Sequence, residues 1–235
     1  MHSSIPVITI DGPGGSGKGT VGWRLANQLK WNFLDSGALY RLLALAAMER
    51  GIDLKAESEL VSLANTIDMQ FEQCADSATQ YRVILDGKDV TGQIRTETCG
   101  GAASKVASLQ GVRAALIDKQ RSFRQAPGLV SDGRDMGTVI FPDAILKVFL
   151  TASAEERAKR RYKQLKDKDA SANLSAILAD IQARDVRDST RKVSPLVPAE
   201  DAVVLDTTQL SVNGVEERLL MLVQETLQKH ALATS

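Results

Sequence analysis

Asp11 to Thr20 reads DGPGGSGKGT, five glycines and one lysine among small or polar residues, directly after the apolar run IPVITI. Glycines let a backbone take positive φ and come close to a ligand, so successive N–H groups converge on phosphate oxygens at the positive end of a following helix. Lys18 adds one full charge that reaches the outer phosphates. The stretch Gly12, Pro13, Gly14, Gly15, Ser16, Gly17, Lys18, Gly19 and Thr20 is therefore a phosphate-binding P-loop. It is a variant, because Gly19 follows the lysine and the hydroxyl comes one place later, at Thr20.

Guanidinium groups are the second chemical signal. Arg184, Arg187 and Arg191 fall at i, i+3 and i+7 with Asp188 four residues from Arg184, so one helical face carries three cations and a carboxylate. A solvated, salt-bridged helix face has the same pattern. Arg157, Arg160 and Arg161 also share a face, in a segment rich in lysine and arginine that on pattern alone reads equally as a solvated basic helix. The only histidines, His2 and His230, lie near the two chain ends, so no imidazole base is offered to a central site. Cys74 and Cys99 lack C-x-x-C spacing, which suggests neither a disulfide framework nor a zinc site.

These groups need a scaffold. Ile5 to Ile10 reads as a buried parallel strand, and Val21, Leu25 and Leu29 mark a helix from about Lys18 to Trp31, with both tryptophans, Trp23 and Trp31, packing in the core. Helices follow in ALYRLLALAAMERG, stopping at Gly51, and in ESELVSLANTI. MQFEQ, YRVILDG and KDVTG are short runs around turn residues and predict a small antiparallel insert. Helical patterns resume from about Thr96 to Gln125, broken near Gly111; GLVSD and ILKVFLT are buried strands on either side of the turn DGRDMGT. Ala154 to Lys168 and LSAILADIQARDVRDSTRK are helical, the latter ending before Pro195, and AVVLDTT and Val215 to Leu232 give a last strand and helix. Alternating strands and helices predict an α/β fold, a parallel sheet flanked by helices.

Composition excludes several classes. Lys+Arg and Asp+Glu both number 29, so no global field draws the chain to nucleic acid or an anionic membrane. No stretch approaches the ~20 apolar residues that span a bilayer, and no basic segment followed by a long apolar run opens the sequence. A cytoplasmic monomer that binds neither nucleic acid nor membrane is expected. A guanine-nucleotide switch would ordinarily carry Asn-Lys-x-Asp, and no Asn-Lys pair occurs.

A P-loop alone leaves motor, switch and kinase open. LDSGALYR at 34–41, SDGRDMGT at 131–138 and RDVRDSTR at 184–191, together with the G-K-G-T ending and the insert between Asp68 and Gly92, resemble bacterial cytidylate kinases along nearly the whole chain. The resemblance implies a P-loop NTPase-like core over 1–35, 106–153 and 173–235. It further implies an inserted monophosphate-binding subdomain over 36–105 and a helical lid over 154–172. The implied reaction moves the γ-phosphoryl group of ATP, with Mg²⁺, to CMP or dCMP; a P-loop kinase acting on another small acceptor such as UMP is the alternative. By the same resemblance Ser36, Tyr40, Arg41 and Arg134 hold the acceptor, and Ser104, Arg113 and Asp135 read cytosine. Arg184 and Asp188 face the acceptor's sugar and phosphate, Arg191 the transferring group, and Lys18, Arg134, Arg184 and Arg191 are the catalytic set. Arg157, Arg160 and Arg161 belong to the lid, and Thr20 and Asp132 are the magnesium candidates, with Asp11 and Asp35 competing for that role. A phosphate acceptor has a second pKa of about 6 and is already a dianionic nucleophile at neutral pH, so no general base is required.

Overall fold

The computed structural model describes residues 5–73, 81–166 and 173–234. Contacts divide the chain into two units, one made of the residues up to Leu34 and from Phe123 onward, the other running from Asp35 to Ser122.

The first unit is built on strands β1 (Val7–Asp11), β2 (Asn32–Asp35), β6 (Leu129–Gly133), β7 (Leu146–Thr151) and β8 (Val203–Asp206), in the spatial order β2-β6-β1-β7-β8. β1 runs parallel to β6 and to β7, and β7 runs parallel to β8. Alternation along the strands separates two faces. Ile8, Ile10, Val130 and Val148 join one apolar cluster with Val21 and Leu25 of helix α1 (Lys18–Leu29) and Val215, Leu219 and Val223 of α8 (Val212–Thr234). The other face carries a buried polar row: Ser131, Thr9 and Lys147 stand side by side in register, with Asp11 two residues beyond Thr9. A five-residue π-helical turn, Met136–Ile140, covers that row. It replaces the simple turn expected at DGRDMGT.

α1 stops short of the predicted Trp31. Lys30 takes the left-handed conformation, φ 55°, and its N–H closes onto Ala26 and Asn27 carbonyls. Trp31 then lies against the backbone of Gly128, where a Cβ would come within 2.3 Å of the indole. It also packs against the core, as expected of a tryptophan in this pattern. Helices α6 (Ala154–Lys166) and α7 (Leu174–Thr190) pack on each other. Residues 167–172 of the expected lid lie outside the described residues.

In the second unit α2 (Ser36–Glu49) is buried along most of its length, packed by α4 (Glu97–Val106) and α3 (Glu57–Thr66). The Asp35 carboxylate caps it by accepting the Ala38 N–H at 3.0 Å. β3 (Met69–Gln73), β4 (Tyr81–Leu85) and the two-residue β5 (Lys88–Asp89) form the expected antiparallel insert. Tyr81 ties that sheet to the start of α2, its hydroxyl donating to Asp35 Oδ2 at 2.5 Å. The predicted helix break moves. α4 ends at Val106 and α5 (Gln110–Arg121) contains Gly111 in its first turn. That glycine serves close approach instead: its N–H meets Glu57 of α3, and a Cβ there would come within 2.9 Å of the Glu57 carboxylate. Among the described residues no helix is long and apolar enough to cross a membrane.

Candidate phosphate-binding and acceptor sites

The glycine stretch joins the carboxyl end of β1 to the amino end of α1, the position a phosphate-binding loop requires. Gly12 has φ +150°, and a Cβ on it would stand 2.0 Å from the Leu150 carbonyl oxygen of β7, so only glycine lets the loop leave the sheet. Gly17, at φ +96°, begins α1 with no side-chain cap, leaving that helix start free of a competing acceptor from its own cap residue. Three of the loop's carbonyls are held by side chains. Lys18 Nζ donates to Pro13 O at 3.1 Å, Arg157 Nη1 to Gly14 O at 3.1 Å, and the Thr207 hydroxyl lies 3.3 Å from Ser16 O. With these carbonyls taken up, the loop amides other than that of Ser16, which donates to Pro13 O at 3.4 Å, are the groups placed to face an anion.

Arg157 is only 4% exposed; it also donates to Ala152 O at 2.9 Å and grips the Asp185 carboxylate with both terminal nitrogens. Arg160 donates to Thr207 O at 2.6 Å and pairs with Glu156 at 3.0 Å. Both residues, expected in a lid, brace the phosphate loop and its neighbour. Arg161 bonds Gln164 one turn along α6. Asp185 and Thr207 were absent from the sequence-based candidates. Thr207 follows the last strand, the kind of position where α/β sheets place ligand groups.

The arginine-rich motif of α7 divides. Arg134 Nε pairs with Asp188 Oδ2 at 2.7 Å, both largely buried. Burial raises the Asp188 pKa, but the charge and hydrogen bond of Arg134, then Arg184 and Arg191, outweigh it and hold the carboxyl below the usual range. Arg187 is exposed and takes no part in that set. The cluster reaches the loop: a Cβ on Gly14 would stand 3.5 Å from Arg134 Nη2 and 3.7 Å from Arg184 Nη1. Arg191 donates to Ser194 O just beyond α7.

The buried Asp132 carboxylate lies against the glycine that makes the P-loop a variant. A Cβ on Gly19 would lie 3.0 Å from its Oδ2, so a side chain there would push the carboxylate by a few tenths of an ångström. Asp132 and the half-buried Thr20 thus offer oxygen donors at the start of α1, a set suited to a hard divalent cation. The other two carboxylates considered have their own hydrogen-bond donors. Both oxygens of Asp35 accept, from Ala38 and Tyr81. Those of Asp11 accept the amides of Met136 and Gly137 at 2.9 and 2.8 Å. Burial nevertheless pushes Asp11 up to about 6. Among the described residues no cluster of three or more His, Cys, Asp or Glu is placed to hold a metal ion. Asp135 is buried directly before the π-helical turn.

In the second unit Ser36 is buried in the first turn of α2. Arg41 directs its guanidinium to Ile94 O at 2.6 Å and lies against Gly100 of α4. Arg113 is buried with its guanidinium carbon 5.6 Å from the Tyr40 ring centroid, a cation–π arrangement, and donates to Ala107 O at 3.2 Å. The buried Ser104 hydroxyl on α4 has no protein hydrogen-bond partner. A donor or acceptor buried in that condition suits a polar ligand edge.

The family model described as Cytidylate kinase matches residues 8–225. A cytidylate kinase of Pseudomonas paraeruginosa is 58% identical over 220 residues, 94% of this chain and 96% of its own. Another, from Stutzerimonas stutzeri, is 59% identical over 220 residues with the same coverage. A solved gluconokinase from Sinorhizobium meliloti aligns over 97% of each chain at 16% identity with a TM-score of 0.46, too distant to inform the site.

Proposed function

Since the chain belongs to the cytidylate kinase family and is an ATP-dependent phosphotransferase acting on CMP and dCMP, we propose that Gly12–Thr20 and the half-buried arginine cluster are its phosphoryl-transfer machinery. The loop amides and Lys18 hold the ATP phosphates, while Arg134, Arg184 and Arg191 neutralise charge on the transferring group and the acceptor phosphate. The observation that most supports this is the approach of the Arg134 and Arg184 guanidiniums to Gly14, which sets cations beside the amides that would hold the donor. Forked guanidiniums match phosphate oxygens in pairs. The dianionic acceptor attacks without a base, so positioning and neutralisation are the whole task of the protein groups.

Asp188 keeps those guanidiniums compatible before substrate arrives and takes the acceptor's sugar side. Ser104, Arg113 and Asp135 read cytosine. Asp135 accepts from the N4 amino group and, being acceptor-only, rejects the O4 of uracil. Ser36, Tyr40 and Arg41 hold the acceptor from α2. Mg²⁺ supplies charge neutralisation between phosphate oxygens when bound; Thr20 and Asp132 would hold it. Closure of the 154–172 segment as a lid, with Arg161 as its contribution from α6, excludes water from the reacting groups. The protein acts on free nucleotides in the cytoplasm as a monomer, away from membranes and nucleic acid.

Competition among CMP, dCMP, UMP and AMP in an assay coupled to ADP release tests the reading, run on wild-type protein and on Arg134→Ala. Strong preference for the cytosine nucleotides, with CMP turnover reduced by about two orders of magnitude in the variant, is expected. Unchanged CMP kinetics in Arg134→Ala would refute the assignment of the cluster.

A further inference from the structure

The carboxylate of Asp11 occupies a place that phosphate binding does not explain. It ends β1, next to Gly12, is 5% exposed, and spends both oxygens on successive amides 125 and 126 residues away. Those amides, of Met136 and Gly137, open the π-helical turn, and first-turn N–H groups have no acceptor within their own helix. The turn satisfies its later amides itself: Val139 and Ile140 donate to Asp135 O at 2.9 and 3.2 Å, and Phe141 to Met136 O at 2.7 Å. Its opening residues rely on Asp11.

The sheet presses the turn from beneath. A Cβ on Gly137 would stand 2.8 Å from the Thr9 hydroxyl oxygen and 3.2 Å from the Lys147 side-chain stem. The turn is thus drawn down by a carboxylate and stopped by a polar floor, which leaves a single height above the sheet. Asp135 and Arg134 immediately precede it. A buried carboxylate raised to about 6 costs stability, so its presence in the core calls for a return other than stability.

We propose that Asp11 is a positioning residue for recognition of the acceptor base: by holding the Met136 and Gly137 amides it fixes the placement of Asp135 and Arg134. This rests on the reading of Asp135 and Arg134 given above. Asp11→Asn keeps one accepting oxygen and turns an amino group toward the second N–H, donor against donor. Misplacement of a recognition group by a fraction of an ångström to 1 Å is sufficient for tenfold or larger effects.

The test measures kcat and KM for CMP, UMP and ATP in wild type, Asp11→Asn, Gly137→Ala and Asp135→Asn. For Asp11→Asn the expected result is a KM for CMP raised about tenfold and CMP-over-UMP discrimination reduced by about fivefold or more, with KM for ATP within about twofold of wild type. Gly137→Ala, which pushes the same turn off Thr9 and draws the Gly137 amide away from a carboxylate left chemically intact, gives the same split and carries the test should Asp11→Asn fail to fold. Parallel rises in KM for CMP and ATP, or unchanged discrimination in both variants while Asp135→Asn loses it, overturn the role of Asp11 alone. Unchanged discrimination in Asp135→Asn as well overturns the reading of the turn and this inference with it.

Discussion

Alanine at Gly12 and at Gly17 should destabilise the protein unequally, and the difference isolates one contact. Both residues have positive φ, +150° and +96°, so each alanine carries backbone strain of about 1–3 kcal/mol. At Gly17 nothing lies within 4 Å of the added methyl, and strain is the only penalty. At Gly12 the methyl stands 2.0 Å from Leu150 O and 3.1 Å from the Leu150 carbonyl carbon. Relief requires β1 and β7 to part, and they are paired in register from Ile8 to Asp11. Overpacking adds about 1–3 kcal/mol. For a chain of this size each kcal/mol moves the melting temperature by about 2–4 °C, so Gly12→Ala should melt about 2–12 °C below Gly17→Ala. The assay is thermal unfolding without nucleotide, because a ligand that binds one variant better would mask the difference. Melting of Gly12→Ala at or above the temperature of Gly17→Ala would refute the reasoning.

Lys18→Ala should lower kcat by about 10²–10³-fold while leaving the circular dichroism spectrum unchanged, since Lys18 stands in the first turn of α1, where alanine continues the helix, and its Nζ hydrogen bond to Pro13 O lies within the loop. Asp135→Asn should relax selectivity for CMP over UMP, because an amide offers either donor or acceptor; competition kinetics read this directly. Two carboxylates should give stability opposite pH dependences. Asp11 rises from 3.8 to about 6 on folding, so its favourable contribution is full below the lower value and is lost as pH climbs through the higher one, a change of about 3 kcal/mol. Denaturant titrations between pH 4 and 7 should show wild type losing ground to Asp11→Asn as pH rises. Asp188, held below the usual range mainly by Arg134, supports folding above the ordinary carboxylate pKa and loses that support as pH falls through its folded value. Asp188→Asn should therefore be least stable relative to wild type at neutral pH, with the gap closing in acid.

Local pattern revealed the phosphate loop because its signal is local: an apolar strand, a run of glycines, a lysine and a helix follow one another within about two dozen residues, and β1 and α1 form there. The α7 cluster was legible for the same reason, although spacing could not tell Arg187, exposed, from Arg184 and Arg191, which sit beside Asp188. Contacts between distant segments were not legible. Nothing in the spacing of Arg157 shows that its guanidinium fastens Gly14 and Asp185. Gly111 looked like a helix breaker because glycine has poor helix propensity; crowding against Glu57 is a tertiary requirement that outranks propensity. Asp11 looked like a candidate metal ligand for want of any sign that Met136 and Gly137 already claim both oxygens.

The bond from Tyr81 to Asp35 makes the small antiparallel sheet inseparable from the helix whose first turn it supports. Anyone trimming residues between β3 and β5 to obtain a leaner catalyst would strip a tether from the carboxylate that starts α2, the helix that carries Ser36, Tyr40 and Arg41. The hairpin is better regarded as scaffolding for its neighbour than as an ornament, and grafting it elsewhere would require carrying Asp35 along.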